Sequence, residues 1–202
     1  MAIDEFGNET GETLIPDKDA YAAAWHKARY EWSLQFMKDK GVVLDVGCGI
    51  GYGSEILLRK ASEYIGFDKY DCREKRFIRD YSKPNATMLV HSANEKFPFE
   101  DNSFDMVTCF EAIEHIEKDA FAIEEIHRVL KEGGSFCCST PLLRIEGRYE
   151  HYHIRDYRRN EFMSLIESRF SKVSYYGQDY GVDIIPMIRQ RDVIYILSVA
   201  YK

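Results

Sequence analysis

The stretch Val42-Val43-Leu44-Asp45-Val46-Gly47-Cys48-Gly49-Ile50-Gly51-Tyr52-Gly53-Ser54 decides the fold. Five residues, four of them apolar, run into a glycine-rich turn, and a polar segment follows. A short continuous apolar run reads as a strand buried on both faces, the signature of a parallel sheet. Glycines at 47, 49 and 51 let the backbone turn sharply and approach a ligand without Cβ interference. The backbone N–H groups at the start of the next helix then point at whatever lies there.

Outward from this stretch the chain alternates. Residues 19–38 read as a helix, with Ala22, Ala23, Trp25, Ala28, Trp32, Phe36 and Met37 at near-helical spacing and Asp17 or Asp19 as its cap. After strand 42–46 come a helix at 54–59, a strand at 64–67, a helix at 71–81 and strands at 87–90 and 104–110. A helix at 118–131, stopped by Gly133-Gly134, precedes a strand at 135–139. Asn160 caps a helix reaching Arg169, and strands at 172–176 and 193–200 follow. Residues 177–192 carry no obvious element. This rhythm predicts an α/β fold: a Rossmann-like parallel sheet with helices on both faces and a C-terminal antiparallel strand. Right-handed crossovers put the loops after each strand on one edge, so one cleft is expected beyond Val46, Phe67, Val90 and Phe110. We expect one domain overall: an arm and helix over 1–40 covering the site, and the main body over 41–202.

Composition narrows the function. The chain has 202 residues, a 45% hydrophobic share and a net charge of −7. That charge argues against broad binding to nucleic acid. No run of 18 apolar residues is present, so no membrane span is expected. The start, Met1–Thr13, lacks the basic and apolar regions of a secretion signal. The five cysteines (Cys48, Cys72, Cys109, Cys137 and Cys138) show no CxxC spacing, which points to small buried thiols in a reducing cytoplasm.

A dinucleotide cofactor is the rival reading of the glycine loop. Its G-x-G-x-x-G fingerprint fails here, because the sixth position is Tyr52 counted from Gly47 and Ser54 counted from Gly49. Asp68 ends the next strand about 20 residues past the first glycine, the spacing at which an acid reaches a ribose diol. A carboxylate, with two acceptor oxygens, suits two vicinal hydroxyls.

The run VLDVGCGIGYGS, then GFD, then SANEKFPFEDNSFDMVTCFEAIEHI, then VLKEGGSFCCSTP resembles the class I S-adenosylmethionine (SAM)-dependent methyltransferase family. The resemblance covers about residues 20–162. It implies that Asp45, Gly47, Gly49, Gly51 and Tyr52 cradle the methionine part of SAM and that Asp68 holds the ribose. Ala93, Asn94 and Glu95, before the Phe97-Pro98-Phe99 turn, flank the adenine; family members often carry aspartate where Ala93 stands. Phe110 and Glu111 face the methionine end. His26-Lys27-Ala28-Arg29-Tyr30 resembles the H-x-A-R-Y element of bacterial members, which puts Tyr21, His26 or Arg29 over the SAM carboxylate.

At the reacting end, Glu111-Ala112-Ile113-Glu114-His115 opens into the expected cleft. His115, Glu111 and His153 are the candidate catalytic residues, His115 as the base or acceptor-orienting group. The same E-x-x-E-H resembles the metal-binding element of ubiquinone-pathway O-methyltransferases. That makes Glu111, Glu114 and His115 candidate ligands, completed by His151 or His153, although no metal is the preferred reading. His153-Ile154-Arg155-Asp156-Tyr157 resembles a stretch of glycan-associated bacterial methyltransferases, with Glu150-His151 where that stretch has N-P. The expected activity is methyl transfer from SAM, leaving S-adenosylhomocysteine, to an oxygen or nitrogen of a small molecule or saccharide. A non-catalytic SAM-binding module and an NAD-dependent oxidoreductase are the alternatives. Monomer and homodimer remain equally open.

Overall fold

The computed structural model describes residues 14, 16, 20–143, 153–187 and 193–202. Helix α1 (Ala20–Ser33) ends in a 3-10 turn, and strand β1 (Val42–Val46) follows. Then come α2 (Ser54–Leu57), β2 (Glu63–Asp68), α3 (Asp71–Asp80), β3 (Ala86–Val90) and β4 (Phe104–Phe110). A second 3-10 turn, Ile113–His115, leads to α4 (Asp119–Val129) and β5 (Leu130–Pro141). The chain continues through α5 (Arg159–Glu167), β6 (Lys172–Gln178), β7 (Ile184–Pro186) and β8 (Tyr195–Tyr201).

The strands form one sheet in the order β3-β2-β1-β4-β5-β8-β6-β7. The first five are parallel, with Val46 opposite Phe67 and Cys109 opposite Cys138. β8 pairs antiparallel with both β5 and β6, as the expected C-terminal strand does. Order reverses beside β1, so the crevice outside β1 and β4 is the natural ligand position.

Alternate residues of each strand face opposite sides, and each side has its own helices. Leu44, Val107, Phe136 and Cys138 pack in one cluster with Ile123 and Ile126 of α4 and Phe162 and Ile166 of α5. Val43, Tyr64, Met106 and Cys137 pack in the other with Tyr30 of α1, Leu57 of α2 and Phe77 of α3. The central strands therefore carry apolar residues on both faces, as β1 suggested. The cysteines are free thiols, four of them buried. No helix among the described residues is long and apolar enough to cross a membrane.

Three local expectations need correction. The α4 pattern does not run to the glycines: the helix ends at Val129, and Leu130 already pairs with Phe104 in the sheet. Sheet pairing captures the last apolar residues of what reads as helical periodicity, and Gly133 (φ +69°) bends the strand instead of ending a helix. Asn160 does not cap α5; the Glu161 carboxylate reaches back to accept the Arg158 N–H at 2.9 Å, so Asn160 lies inside the helix. β7 lies where no element was expected. Its three residues are held by pairing with Tyr176–Gln178 and carry too short a pattern to read. Asp17, Asp19 and His151 lie outside the described residues.

Ile126 is fully buried between α4 and the sheet. Replacing it with alanine is expected to lower unfolding free energy by about 2–5 kcal/mol in urea titration, with the m-value unchanged. A loss well under 1 kcal/mol would contradict the packing of this face.

Candidate active site

The parallel strands deliver their C-terminal ends to one cleft. Its wall is built from Gly47, Gly49 and Tyr52 after β1, Asp68 and Tyr70 after β2, His91 to Asn94 after β3, and Phe110, Glu111 and His115 after β4. His26 and Tyr30 of α1 complete it. This is the cleft that the alternation predicts.

The glycine loop is held by its own backbone. The Gly47 and Cys48 N–H groups both donate to the Phe67 carbonyl, at 3.0 and 3.1 Å. Gly47 sits at φ +68°, and a Cβ there would lie 2.5 Å from the Ala112 Cβ, so no other residue fits without displacing the turn after β4. Gly49 (φ +58°) lines the cleft, and a Cβ on it would meet nothing within 4 Å. Among the described residues the position over Gly49 is open. Gly51 does not line the cleft; a Cβ on it would strike the Phe77 ring.

Asp45 is beneath the loop, not on the cleft wall. It is fully buried and receives three hydroxyls: Tyr30 at 3.1 Å and Tyr64 at 3.0 Å on Oδ2, Thr108 at 2.7 Å on Oδ1. Burial pushes its pKa up to about 6, although the three hydroxyl bonds favour the carboxylate. Its geometry fastens α1, β1, β2 and β4 to one point.

Asp68 ends β2 on the cleft wall, with 4% of its surface exposed. Its Oδ2 accepts the Gly49 N–H at 3.1 Å and the Arg73 guanidinium at 2.6 Å, and its Oδ1 accepts the Tyr70 N–H at 3.3 Å. At the next strand end, Ala93 and Asn94 line the cleft and Glu95 is exposed outside it. Asn94 uses its Oδ1 to accept the Lys118 N–H at 2.8 Å, which ties this wall to the start of α4. Phe97 anchors the turn, packing edge-on against Phe67 with its N–H donating to Glu125 at 2.8 Å.

Helix α1 closes the cleft from above the loop. Tyr30 meets the Phe110 and Tyr52 rings edge-on. His26 Nδ1 lies 3.3 Å from the Tyr52 hydroxyl. Burial, aided by the neighbouring Arg29 charge, drives the His26 pKa down to about 3, so its imidazole is neutral. Tyr21 points away, 67% exposed against Trp25. Arg29 is fully buried: Nε donates to Gln178 at 2.7 Å, and the guanidinium lies over the Tyr195 ring. Nη1 is 3.4 Å from Glu111, yet neither terminal nitrogen has a hydrogen-bond acceptor among the described residues. Gln178 and Tyr195 escaped the reading of the sequence, because 149 residues separate Gln178 from Arg29 and no spacing rule connects them.

The reacting end splits the E-x-x-E-H element. Glu111 has φ +50°, a left-handed conformation that is unusual for a non-glycine residue and that clusters at functional sites. The Ser139 hydroxyl donates to its Oε1 at 2.7 Å. Glu114 turns inward, 1% exposed, and receives the Thr140 hydroxyl at 3.1 Å. Burial and the nearby Glu111 charge raise its pKa well above the usual carboxylate range. His115 stays on the cleft wall, with its ring 5.0 Å edge-on from that of His153. His153 is off that wall, its Nδ1 2.6 Å from the Asp156 carboxylate. Ligand atoms of Glu114, His115 and His153 lie within 4.8 Å of one another, whereas Glu111 is outside this group.

Neutral buried His26 has a consequence for stability. Its folded pKa lies below the unfolded value of 6.5, so its contribution is full above 6.5 and is lost as pH falls toward about 3. His26→Gln is expected to flatten that acid limb when unfolding free energies are compared across the window. An unchanged slope would mean that His26 is not buried neutral.

A family profile described as "Methyltransferase domain" matches residues 44–138. A Mycobacterium tuberculosis protein named a "probable S-adenosylmethionine-dependent methyltransferase" is 31% identical over 191 residues, covering 91% of this chain and 67% of that protein. The ubiquinone biosynthesis O-methyltransferase of Methylococcus capsulatus is 30% identical over 162 residues, 71% of this chain and 64% of that enzyme. A solved SAM-dependent methyltransferase from Aquifex aeolicus superposes with a TM-score of 0.68 at 18% identity, covering 94% of this chain and 98% of that one. The chain spans 63–67% of the length of its mycobacterial relatives. From strand order, glycine loop and these relatives together, the chain belongs to the class I SAM-dependent methyltransferase family.

Proposed function

We propose that this protein transfers a methyl group from SAM to an oxygen or nitrogen of a small molecule or saccharide. The observation that carries the cofactor part is the open position over Gly49 beside the Asp68 carboxylate. A second fit is the buried Arg29 guanidinium with two unaccepted nitrogens, suited to a ligand carboxylate. In this reading Gly47, Gly49 and Tyr52 cradle the methionine part, with His26 and Arg29 toward its carboxylate. Asp68 takes the ribose diol, Ala93 and Asn94 flank the adenine, and Phe110 closes the methionine end. Asp45 and Gly51 act from behind, holding the loop. Tyr21 and Glu95 have no place in it.

When bound, SAM supplies a methyl already activated by its sulfonium. The chain's own task is then to hold an acceptor in line and manage one proton. We assign the proton to His115, which lines the cleft at the end of the β4 turn. Glu111, held by Ser139 and next to Arg29, orients the acceptor from the same wall. His153, in edge contact with His115 and fixed by Asp156, positions that imidazole. The O-methyltransferase among the relatives favours an oxygen acceptor, and the His153–Tyr157 stretch favours a saccharide.

The convergence of Glu114, His115 and His153 supports a second reading, a divalent ion at the reacting end. The Asp156 contact leaves His153 Nε2 as the ligating atom, the usual carboxylate–histidine–metal order. Methyl transfer that survives exhaustive chelation would dismiss the ion. Loss of activity restored by Mg²⁺ or Mn²⁺ would establish it.

Three outcomes test the main proposal. S-adenosylhomocysteine is expected to raise the melting temperature, whereas NAD does not. A larger shift with NAD would return the oxidoreductase alternative. Asp68→Ala is expected to weaken SAM binding by about 1–3 kcal/mol in calorimetry, the cost of losing a charged hydrogen-bonding group; unchanged affinity would remove Asp68 from the site. His115→Gln is expected to lower kcat by about 100-fold or more while the KM for SAM holds. An unchanged kcat would exclude His115, and binding without any turnover across an acceptor panel would favour the non-catalytic module.

A further inference from the structure

Asp68 already has more partners than a ribose-binding acid can keep. A carboxylate offers about four lone-pair sites. Gly49, Tyr70 and Arg73 use three of them. A vicinal diol needs two, so one partner must withdraw. The Gly49 and Tyr70 N–H groups belong to the backbone of the loop and of the strand end and cannot leave without unfolding them. Arg73 is a side chain that lines the cleft.

Arg73 also has somewhere to go. Its guanidinium lies 4.6 Å from the Tyr70 ring centroid, over a ring that lines the same cleft. A cation–π contact of this kind retains a guanidinium after its carboxylate is taken. Arg73 sits in the first turn of α3, at the positive end of the helix dipole, where a cation is disfavoured. The contact with Asp68 offsets that.

We propose that Arg73 is an internal competitor for the ribose site, an affinity-setting residue that occupies Asp68 until a vicinal diol displaces it onto Tyr70. The inference rests on the assignment of Asp68 to the ribose. Each binding event exchanges an ion pair for two hydrogen bonds from neutral hydroxyls to the carboxylate. Apparent affinity is lowered by the fraction of protein in which Asp68 is taken, and release of the demethylated product is assisted by the returning guanidinium. A ligand with a single ribose hydroxyl displaces Arg73 poorly, so the pair selects for the intact diol.

The experiment uses S-adenosylhomocysteine, which carries no net charge, titrated calorimetrically into the wild-type protein and into Arg73→Met, Asp68→Asn and the double variant. Arg73→Met is expected to bind about threefold to tenfold more tightly than wild type. In the Asp68→Asn background the second substitution is expected to change nothing. Weaker or equal binding by Arg73→Met overturns the competition while leaving the ribose assignment standing, provided Asp68→Asn binds more weakly than wild type. Unchanged binding by Asp68→Asn overturns the ribose assignment itself. Arg73→Lys keeps the charge and is expected to track wild type; if it tracks methionine instead, charge is not what competes.

Discussion

The structure depends on one buried carboxylate. Asp45 has no solvent contact and is held by three hydroxyls, from Tyr30, Tyr64 and Thr108. These come from α1, β2 and β4, the three elements that surround the glycine loop. A buried carboxyl without partners is costly, so its environment must be complete. Completing it forces α1 down onto the sheet, aligns β2 and β4 with β1, and fixes the loop at the height where its N–H groups meet the cleft. Burial raises the Asp45 pKa, and the three hydroxyl donors oppose that rise.

From that point the site follows outward. With β1 and β2 in register, the Phe67 carbonyl takes the N–H groups of Gly47 and Cys48 and turns the loop back over the strand end. Asp68 then stands beside Gly49. With β4 in place, Ala112 presses against Gly47, and the chain emerges at Glu111 in a left-handed conformation that aims it at the cleft. Tyr30, which donates to Asp45, also packs against Phe110 and Tyr52, so one residue carries both the support and the wall. The cofactor half of the site is thus rigid by construction. The other half is different. The contacts of Glu111 and His115 there come from segments remote in sequence.

The polar groups that no spacing rule could connect are concentrated in that second half. Arg29 was legible as a candidate for the site. Its supports, Gln178 and Tyr195, were not, since they reach it from the antiparallel edge of the sheet. The E-x-x-E-H spacing suggested three groups converging on one point. In a 3-10 turn beginning after a left-handed residue the two glutamates diverge, Glu111 toward Arg29 and Ser139 and Glu114 into the interior beneath Thr140. Helical periodicity is a poor guide where the backbone is not helical.

The amino-acid sequence by itself determined the α/β alternation, the apolar central strands, the glycine loop and the acid at the end of β2. Each is a local pattern: period two or 3.6, a glycine where φ must be positive, an acid at fixed spacing. It also determined the family, because those patterns occur in order. The tertiary structure alone decided that Asp45 supports the loop from below instead of lining it, that Tyr21 and Glu95 face away, and that Arg73 pairs with Asp68 at the end of β2. Those outcomes depend on which side chains complete one another's hydrogen bonds across the sheet. Partners 149 and 153 residues apart leave no periodic trace in the chain.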